Sequence, residues 1–297
     1  GHSASYAVES FQSLYLKSYY PVEFMTAVLN NGGGFYSPEF YVHEARMKGA
    51  IIEPPDINIS RKENMVMSQT IYLGLGMVKD LENRVILDIL QSREKEGAFT
   101  SLEELVRRVP ISLDQMSLLI RIKALRSFGM SKKSLLWKAH FLLADQGKSS
   151  TTPTLFDPQV KNYTLPQLSY HKLEDLYDQM ELLGFPLESP FKLLFKEPDD
   201  VIMVREMKNH LNRQISMVGY LVTIKNTSTS KGDRMYFGTF IDKEGKFIDT
   251  VHFPPAAKKY PFTGRGIYHL TGKVVEDFDV LSLEVSRMSK LQYAKPE

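Results

Sequence analysis

The residues with most capacity for acid–base or metal chemistry in this 297-residue chain are seven histidines (2, 43, 140, 171, 210, 252 and 269) and two acidic stretches, Pro55-Asp56-Ile57-Asn58 and Asp199-Asp200. Their spacing does not combine them. The histidines show no i,i+4 pairing and no neighbouring acidic set, so the pattern of a zinc site is absent. A cysteine count of 0 removes thiolate ligands and disulfides. Two-metal phosphoryl transfer needs carboxylates converging on ions about 4 Å apart. Asp56 supplies one carboxylate followed by an amide and reads as a turn, while Asp199-Asp200 follows a proline and reads as a solvated loop. There is no Walker loop and no G-x-S-x-G elbow, and Gly74-Leu75-Gly76 lacks the third glycine of a dinucleotide fingerprint. The expectation is a chain with no catalytic residue and no metal ligand.

Binding chemistry is better represented. The net charge of +2 is small, but its distribution is uneven. Residues 121–150 hold seven Lys and Arg against one acid, Asp145, and residues 211–297 hold thirteen against nine. Two basic regions imply two places where a polyanion could sit, with a solvated helix face as the plainer alternative. The length allows two or three units, each with its own core. No run of about 18 apolar residues is present, so no membrane-spanning helix is expected. The Gly1-His2-Ser3 start shows no signal-peptide pattern. With the absence of cysteine, this favours a cytoplasmic location.

These residues need elements to position them. Residues 4–30 read as helix, with Phe11, Leu14, Tyr15 and Tyr19 at three- and four-residue intervals, taken as core, and Pro21 as the break. A helix over 38–47 and a short strand at Ile51-Ile52 follow. From Thr70 to His140 the pattern is helical, with apolar stripes at Val85, Ile86, Ile89 and Leu90, at Leu102, Leu105 and Val106, and at Leu118, Leu119, Ile122 and Leu125. Thr100 with Glu103 predicts a capping box. Residues 147–163 are dominated by Ser, Thr and Pro, a linker carrying one apolar pair, Leu155-Phe156. Helix returns over 173–183 and stops at Gly184. From Gln214 the period switches to two. Five strand-like runs with a helical segment at 254–260 suit a small Greek-key barrel of the OB type. The fold class is multidomain α+β, an all-α N-terminal part followed by a five-stranded barrel.

The opening Gly-His-Ser-Ala-Ser-Tyr-Ala-Val-Glu-Ser-Phe-Gln-Ser-Leu-Tyr-Leu-Lys-Ser-Tyr-Tyr-Pro-Val-Glu-Phe-Met closely resembles the last part of the fingers domain of bacterial DNA polymerase III α subunits, the C-family replicative polymerases. Further matches come in that family's order: Pro54-Pro55-Asp56-Ile57-Asn58, Leu73-Gly74-Leu75-Gly76 with Lys79, Gly97-Ala98-Phe99-Thr100-Ser101-Leu102, Glu181-Leu182-Leu183-Gly184-Phe185 and Lys231-Gly232-Asp233-Arg234-Met235. The resemblance covers essentially the whole chain. It implies the end of the fingers over 1–66, with His2 and Lys17 as its notable polar residues. It further implies a tandem helix-hairpin-helix region over 67–145, a linker and helix over 146–205, and an OB domain over 206–297. The family's palm, with its Mg2+-binding Asp-x-Asp, would lie before Gly1, so no cofactor is expected here and the chain reads as a binding fragment of a DNA-directed DNA polymerase.

A helix-hairpin-helix element points backbone N–H groups at a DNA phosphate from a tight turn. Here the first turn reads Lys79-Asp80-Leu81-Glu82 and the second Ile122-Lys123-Ala124-Leu125, each short of the family's glycines, and Glu82 puts a carboxylate where a phosphate would dock. The duplex contacts implied are Lys79, Lys123, Ser131, Lys132 and Lys133. Thr152-Pro153-Thr154-Leu155-Phe156 stands where the family carries its sliding-clamp peptide. Thr152 replaces the usual glutamine, and Thr154, Leu155 and Phe156 complete the motif. In the barrel, Lys225, Lys231, Arg234, Tyr236 and Phe237 are the implied single-strand contacts, with only one of Tyr236 and Phe237 facing out. Expected partners are therefore duplex and single-stranded DNA, the sliding clamp and other replisome subunits, and no membrane. Two alternatives stand beside this: a replisome scaffold whose barrel does not touch DNA, and an RNA-binding barrel. The missing glycines and glutamine lean toward a lesion-bypass copy of the polymerase.

Overall fold

Pro21 cannot continue a helix, and the chain turns there from α1 (His2–Tyr19) into α2 (Pro21–Asn30). The computed structural model describes residues 2–34, 36–144 and 171–295. These form two compact units, Gly1–Leu187 and Glu188–Glu297. In the first unit α2 and α3 (Pro38–Met47) lie over a sheet of three short strands, β1 (Ile51–Glu53), β2 (Met65–Met67) and β3 (Thr70–Tyr72). The order is β1-β3-β2, with β1 parallel and β2 antiparallel to β3. Val22, Met25, Val42, Ala45, Ile71 and Leu73 fill this layer.

Two expectations fail here. Thr70–Tyr72 is strand, not helix; strands of three residues are too short for a period of two to show in the sequence. The aromatic residues of α1 are not core, because no residue of α1 is buried. The spacing of Phe11, Leu14, Tyr15 and Tyr19 defines an apolar face without naming what covers it.

The second layer of this unit is a helical bundle of α4 (Asn83–Glu96), α5 (Leu102–Arg108), α6 (Leu113–Arg121), α7 (Lys132–Ala144) and α8 (Lys172–Leu182). Ile86, Ile89, Leu102, Leu105, Leu119 and Ile122 share its core, as the apolar stripes predict, together with Leu135 of α7. The capping box expected from Thr100 and Glu103 does not form, and the cap lies one residue later. Ser101 is the N-cap and accepts from Glu104 N–H at 3.2 Å, while Glu104 Oε2 accepts from Thr100 N–H at 2.8 Å. Gly74 is fixed by crowding: a Cβ there would stand 2.2 Å from the Lys62 carbonyl oxygen. The glycine pair thus serves close packing against residues 61–64.

The second unit is a closed barrel of β4 (Gln214–Ser228), β5 (Arg234–Ile241), β6 (Phe247–His252), β7 (Ile267–Asp277) and β8 (Val280–Lys290). Strand order is β4-β5-β6-β8-β7, with β6 and β8 parallel, and α9 (Pro254–Lys259) follows the third strand. That is the OB topology expected from the sequence. Met217, Phe240, Ile248, Leu270, Val274 and Leu283 fill the interior.

Candidate nucleic-acid interface

Both turns form in spite of their missing glycines, the first between a single 3-10 turn, Leu75–Met77, and α4, the second between α6 and a 3-10 turn, Arg126–Phe128. Asp80 (φ 61°) and Lys123 (φ 62°) take the left-handed backbone that glycine adopts most easily. Neighbouring chain holds each turn. Gln115 clasps the first, its Oε1 accepting from Glu82 N–H at 2.7 Å and its Nε2 donating to the Asp80 carbonyl at 3.0 Å. Lys79 N–H donates to the Leu182 carbonyl at 2.7 Å, leaving the Lys79 side chain exposed. Glu82 is the N-cap of α4 and makes no side-chain cap hydrogen bond.

The second turn is braced by the Pro-Pro-Asp-Ile-Asn segment. Ile57 N–H donates to the Ala124 carbonyl at 2.9 Å, and Arg126 Nη1 donates to the Pro55 carbonyl at 2.9 Å. Asp56 is buried, accepts from Asn58 N–H at 2.8 Å, and faces Arg126 at 3.4 Å. It is a turn residue, as its sequence suggests.

The cations of the second hairpin are ion-paired. One face of α8 carries Glu174, Asp175, Asp178 and Glu181, and it lies against them. Arg121 meets Asp178 at 2.7 Å and also Glu181, Lys133 meets Glu174 at 3.0 Å, and Lys123 pairs with Asp175. Lys132, its side chain only 6% exposed, sits between Asp175 and Asp178 at 2.6 Å from each. Burial pulls the Lys132 pKa down, but hydrogen bonds and charge from the two aspartates outweigh it and leave it above the ordinary lysine value. The Arg121 pKa is likewise raised, first by its hydrogen bond with Glu181. Ser131 caps α7, its Oγ accepting from Ser134 N–H at 3.1 Å. The acids that offset residues 121–144 lie some fifty residues further on, where a local charge count does not look.

The barrel presents a different surface. Lys225 stands directly across from Phe237, and Phe237 across from Val251, on the outward side of β4, β5 and β6. Phe237 is 43% exposed, whereas Tyr236 turns inward against Phe262, ring centroids 5.7 Å apart. The alternation therefore resolves in favour of Phe237. Lys231 tips the exposed β4–β5 turn and Arg234 opens β5 opposite Ser228. Lys225, Lys231 and Arg234 have no ion pair among the described residues. Phe253, two residues beyond Val251, is exposed as well. Sequence reasoning missed it, although the outward parity of β6 extended by one step points to it. Thr152, Thr154, Leu155 and Phe156 lie outside the described residues.

Behind Phe237 the barrel buries a histidine. His252 Nε2 is 2.9 Å from Thr250 Oγ1, which itself donates to the Gly238 carbonyl at 2.8 Å, so the imidazole nitrogen is the donor. Nδ1 is buried without a partner. Desolvation pushes the ring pKa down to about 4. No group of three or more His, Asp or Glu side chains able to hold a metal ion occurs among the described residues.

Residues 49–135 match the helix-hairpin-helix motif family. The chain is 31% identical to the DNA polymerase III α subunit of Treponema pallidum, over 85% of this chain and 23% of that protein. It is 28% identical to the α subunit of Borreliella burgdorferi, over 98% of this chain and 27% of that one. Against the error-prone DNA polymerase of Rhodopirellula baltica the identity is 25%, over 98% and 26%. The chain thus spans about a quarter of the length of the curated relatives it matches. Among solved structures, the single-stranded DNA binding protein of Thermus aquaticus aligns at 15% identity over 28% of this chain and 42% of that one, with a TM-score of 0.26.

Proposed function

We propose that this chain, homologous over most of its length to the α subunits of DNA polymerase III and to error-prone DNA polymerases, handles DNA through two surfaces. Bond-making belongs to the parts of the longer relatives that lie outside the match. The reading rests chiefly on one observation: an outward Phe237 beside an unpaired Lys225, with Lys231 and Arg234 at the same end of the barrel. An exposed ring gives a nucleobase a stacking platform, and unpaired cations along it follow a phosphate backbone. The barrel then holds single-stranded DNA, with Phe253 as a second platform.

For the duplex, we assign the contact to the uncapped N-terminus of α4 with Lys79 beside it, a site that reads position and not sequence. Glu82 at the same end weakens it. Lys123, Lys132 and Lys133 we assign first to holding α8, and Ser131 to capping α7. The Leu155-Phe156 pair in its Ser/Thr/Pro stretch supports a sliding clamp as a protein partner, alongside other replisome subunits.

The test is fluorescence anisotropy of the full chain with single-stranded DNA, duplex DNA and RNA of equal length across a salt series. Single-strand affinity should fall linearly in log–log form with salt, and Phe237→Ala should weaken it by about 1–3 kcal/mol, the range of one base–aromatic stack. Affinity that ignores both salt and Phe237→Ala overturns the barrel assignment and leaves the scaffold reading. A preference for RNA replaces DNA as the ligand.

A further inference from the structure

The far end of the barrel carries a feature that the DNA reading does not use. Strands β7 and β8 pair as far as Asp277 and Val280, so Phe278 and Asp279 form a two-residue turn. Both have positive φ, 47° and 62°. Two left-handed central residues define a hairpin turn of the I′ kind, whose usual occupants are Asn-Gly or Asp-Gly. A phenylalanine there meets the steric opposition of a left-handed backbone. It is also 93% exposed, and Val280 beside it is 54% exposed. Two local preferences are violated at one residue, and no ring contact of Phe278 with the barrel compensates among the described residues. That combination leaves an aromatic ring available to a ligand at a position where the turn itself does not favour one.

Charge selects the ligand. Glu276, Asp277 and Asp279 lie within two residues of Phe278 in the chain, all exposed and without an ion pair among the described residues. Barrels of this topology often use the loop between their last two strands for oligonucleotides. Here three carboxylates within two residues of Phe278 oppose a phosphate backbone. The opposite end, with Lys231 and Arg234, has the reverse sign. We infer that the Phe278 turn is a docking knob for a protein, the ring entering an apolar pocket whose rim carries lysine or arginine. Aromatic anchors in desolvated pockets dominate such contacts, and the carboxylates provide steering and orientation. The assignment goes beyond the DNA reading and does not depend on it.

The experiment places p-benzoylphenylalanine at position 278 of the full chain, cross-links in cells of the source organism, and identifies the captured species. The captured protein is then purified and its affinity measured against wild-type chain, Phe278→Ala and the Asp277→Lys/Asp279→Lys pair. Single-strand affinity is measured in parallel. The expected result is a protein adduct whose purified partner binds Phe278→Ala about thirtyfold more weakly. It should also bind the charge-reversed pair more weakly, while Phe278→Ala leaves single-strand affinity unchanged. A cross-link to nucleic acid, or a loss of single-strand affinity in Phe278→Ala like that of Phe237→Ala, makes Phe278 a stacking platform and overturns the proposal. No adduct, or a captured protein that binds Phe278→Ala as well as wild type, also overturns it. A melting scan of each variant separates these outcomes from misfolding, and because Phe237→Ala tests the DNA surface separately, failure of either assignment is distinguishable from failure of the other.

Discussion

The second hairpin and the β4–β5 end of the barrel both look basic in sequence, yet they dispose of their charge in opposite ways. In the helical unit Arg121, Lys123, Lys132 and Lys133 are matched by Glu174, Asp175, Asp178 and Glu181 of α8, and Lys138 by Glu103. In the barrel Lys225, Lys231 and Arg234 have no carboxylate within ion-pair distance among the described residues. A Lys cluster therefore signals a polyanion site only after the fold has been searched for acids that reach it. By this measure the cations at the β4–β5 end are open to a polyanion, and those of the hairpin are already paired within the unit.

The largest effect should come from Lys132. Replacing it with methionine leaves Asp175 and Asp178 facing each other in a largely buried site, and losing one partner of a buried pair costs about 3 kcal/mol or more. Arg121 and Lys123 remain to offset part of that, so we expect the low end of the range in urea unfolding. The same variant should leave single-strand affinity unchanged. A stability loss below about 1 kcal/mol, the size of an exposed pair, would return Lys132 to the list of candidate duplex contacts.

Acid should separate the two units. Burial holds the His252 pKa near 4, below its ordinary value of 6.5, so the folded barrel keeps the ring neutral. The unfolded chain gains the proton first, and the stability present above about pH 6.5 is lost as pH falls toward 4. In the helical unit hydrogen bonds from Thr100, aided by Arg108, hold the Glu104 carboxyl down at about 2, and the hydrogen bond from Arg121 lowers Glu181. Those contributions are present above the ordinary carboxylate value of 4.5 and are lost only below it. The single tryptophan, Trp137, belongs to α7. Its fluorescence should thus outlast barrel structure, followed by the His252 imidazole resonances, as pH falls from 6.5. Simultaneous loss would show that the two regions do not respond independently. Replacing His252 with phenylalanine should reduce the barrel's response between pH 6.5 and 4, leaving the part due to His269, whose pKa is also lowered by burial and by Arg287.

A smaller effect probes the barrel's cations. Converting Lys225, Lys231 and Arg234 together to alanine should reduce the slope of log affinity against log salt by about 2, at roughly 0.7 per single-strand phosphate contact. The Lys123→Ala/Lys133→Ala pair should leave that slope in place. If the hairpin pair flattens it instead, the comparison is reversed.

Much of this architecture is legible in the sequence. The period-two alternation from Gln214, the helix start at Pro254 and the apolar stripes at Val85–Leu90 and Leu102–Val106 are local patterns, and local patterns determine local elements. What stayed hidden was relational. The pairing of Lys132 with two aspartates on α8 depends on tertiary packing across a long stretch of chain. The choice between Tyr236 and Phe237 depends on which side of β5 meets Phe262. Strands as short as Met65–Met67 and Thr70–Tyr72 carry no period. The exposure of the α1 aromatics could not be read from their spacing, which is the same for a buried and an unpartnered face.

The smallest prediction concerns the two turns themselves. Asp80 and Lys123 share a left-handed backbone but differ in what their side chains do. Glycine at either position relieves a steric penalty on the order of 1 kcal/mol, while adding flexibility to the unfolded chain that takes back part of the gain. Asp80→Gly should therefore raise stability by a few tenths of a kcal/mol, and removing its carboxylate beside the α4 N-terminus should strengthen duplex binding slightly. Lys123→Gly gains the same backbone relief but gives up the pair with Asp175, so its net change should be zero or negative. Matched urea melts of the two variants, with duplex titrations at low salt, check both signs. If Lys123→Gly stabilises as much as Asp80→Gly, the α8 acids do not need Lys123, and its ammonium can serve DNA after all.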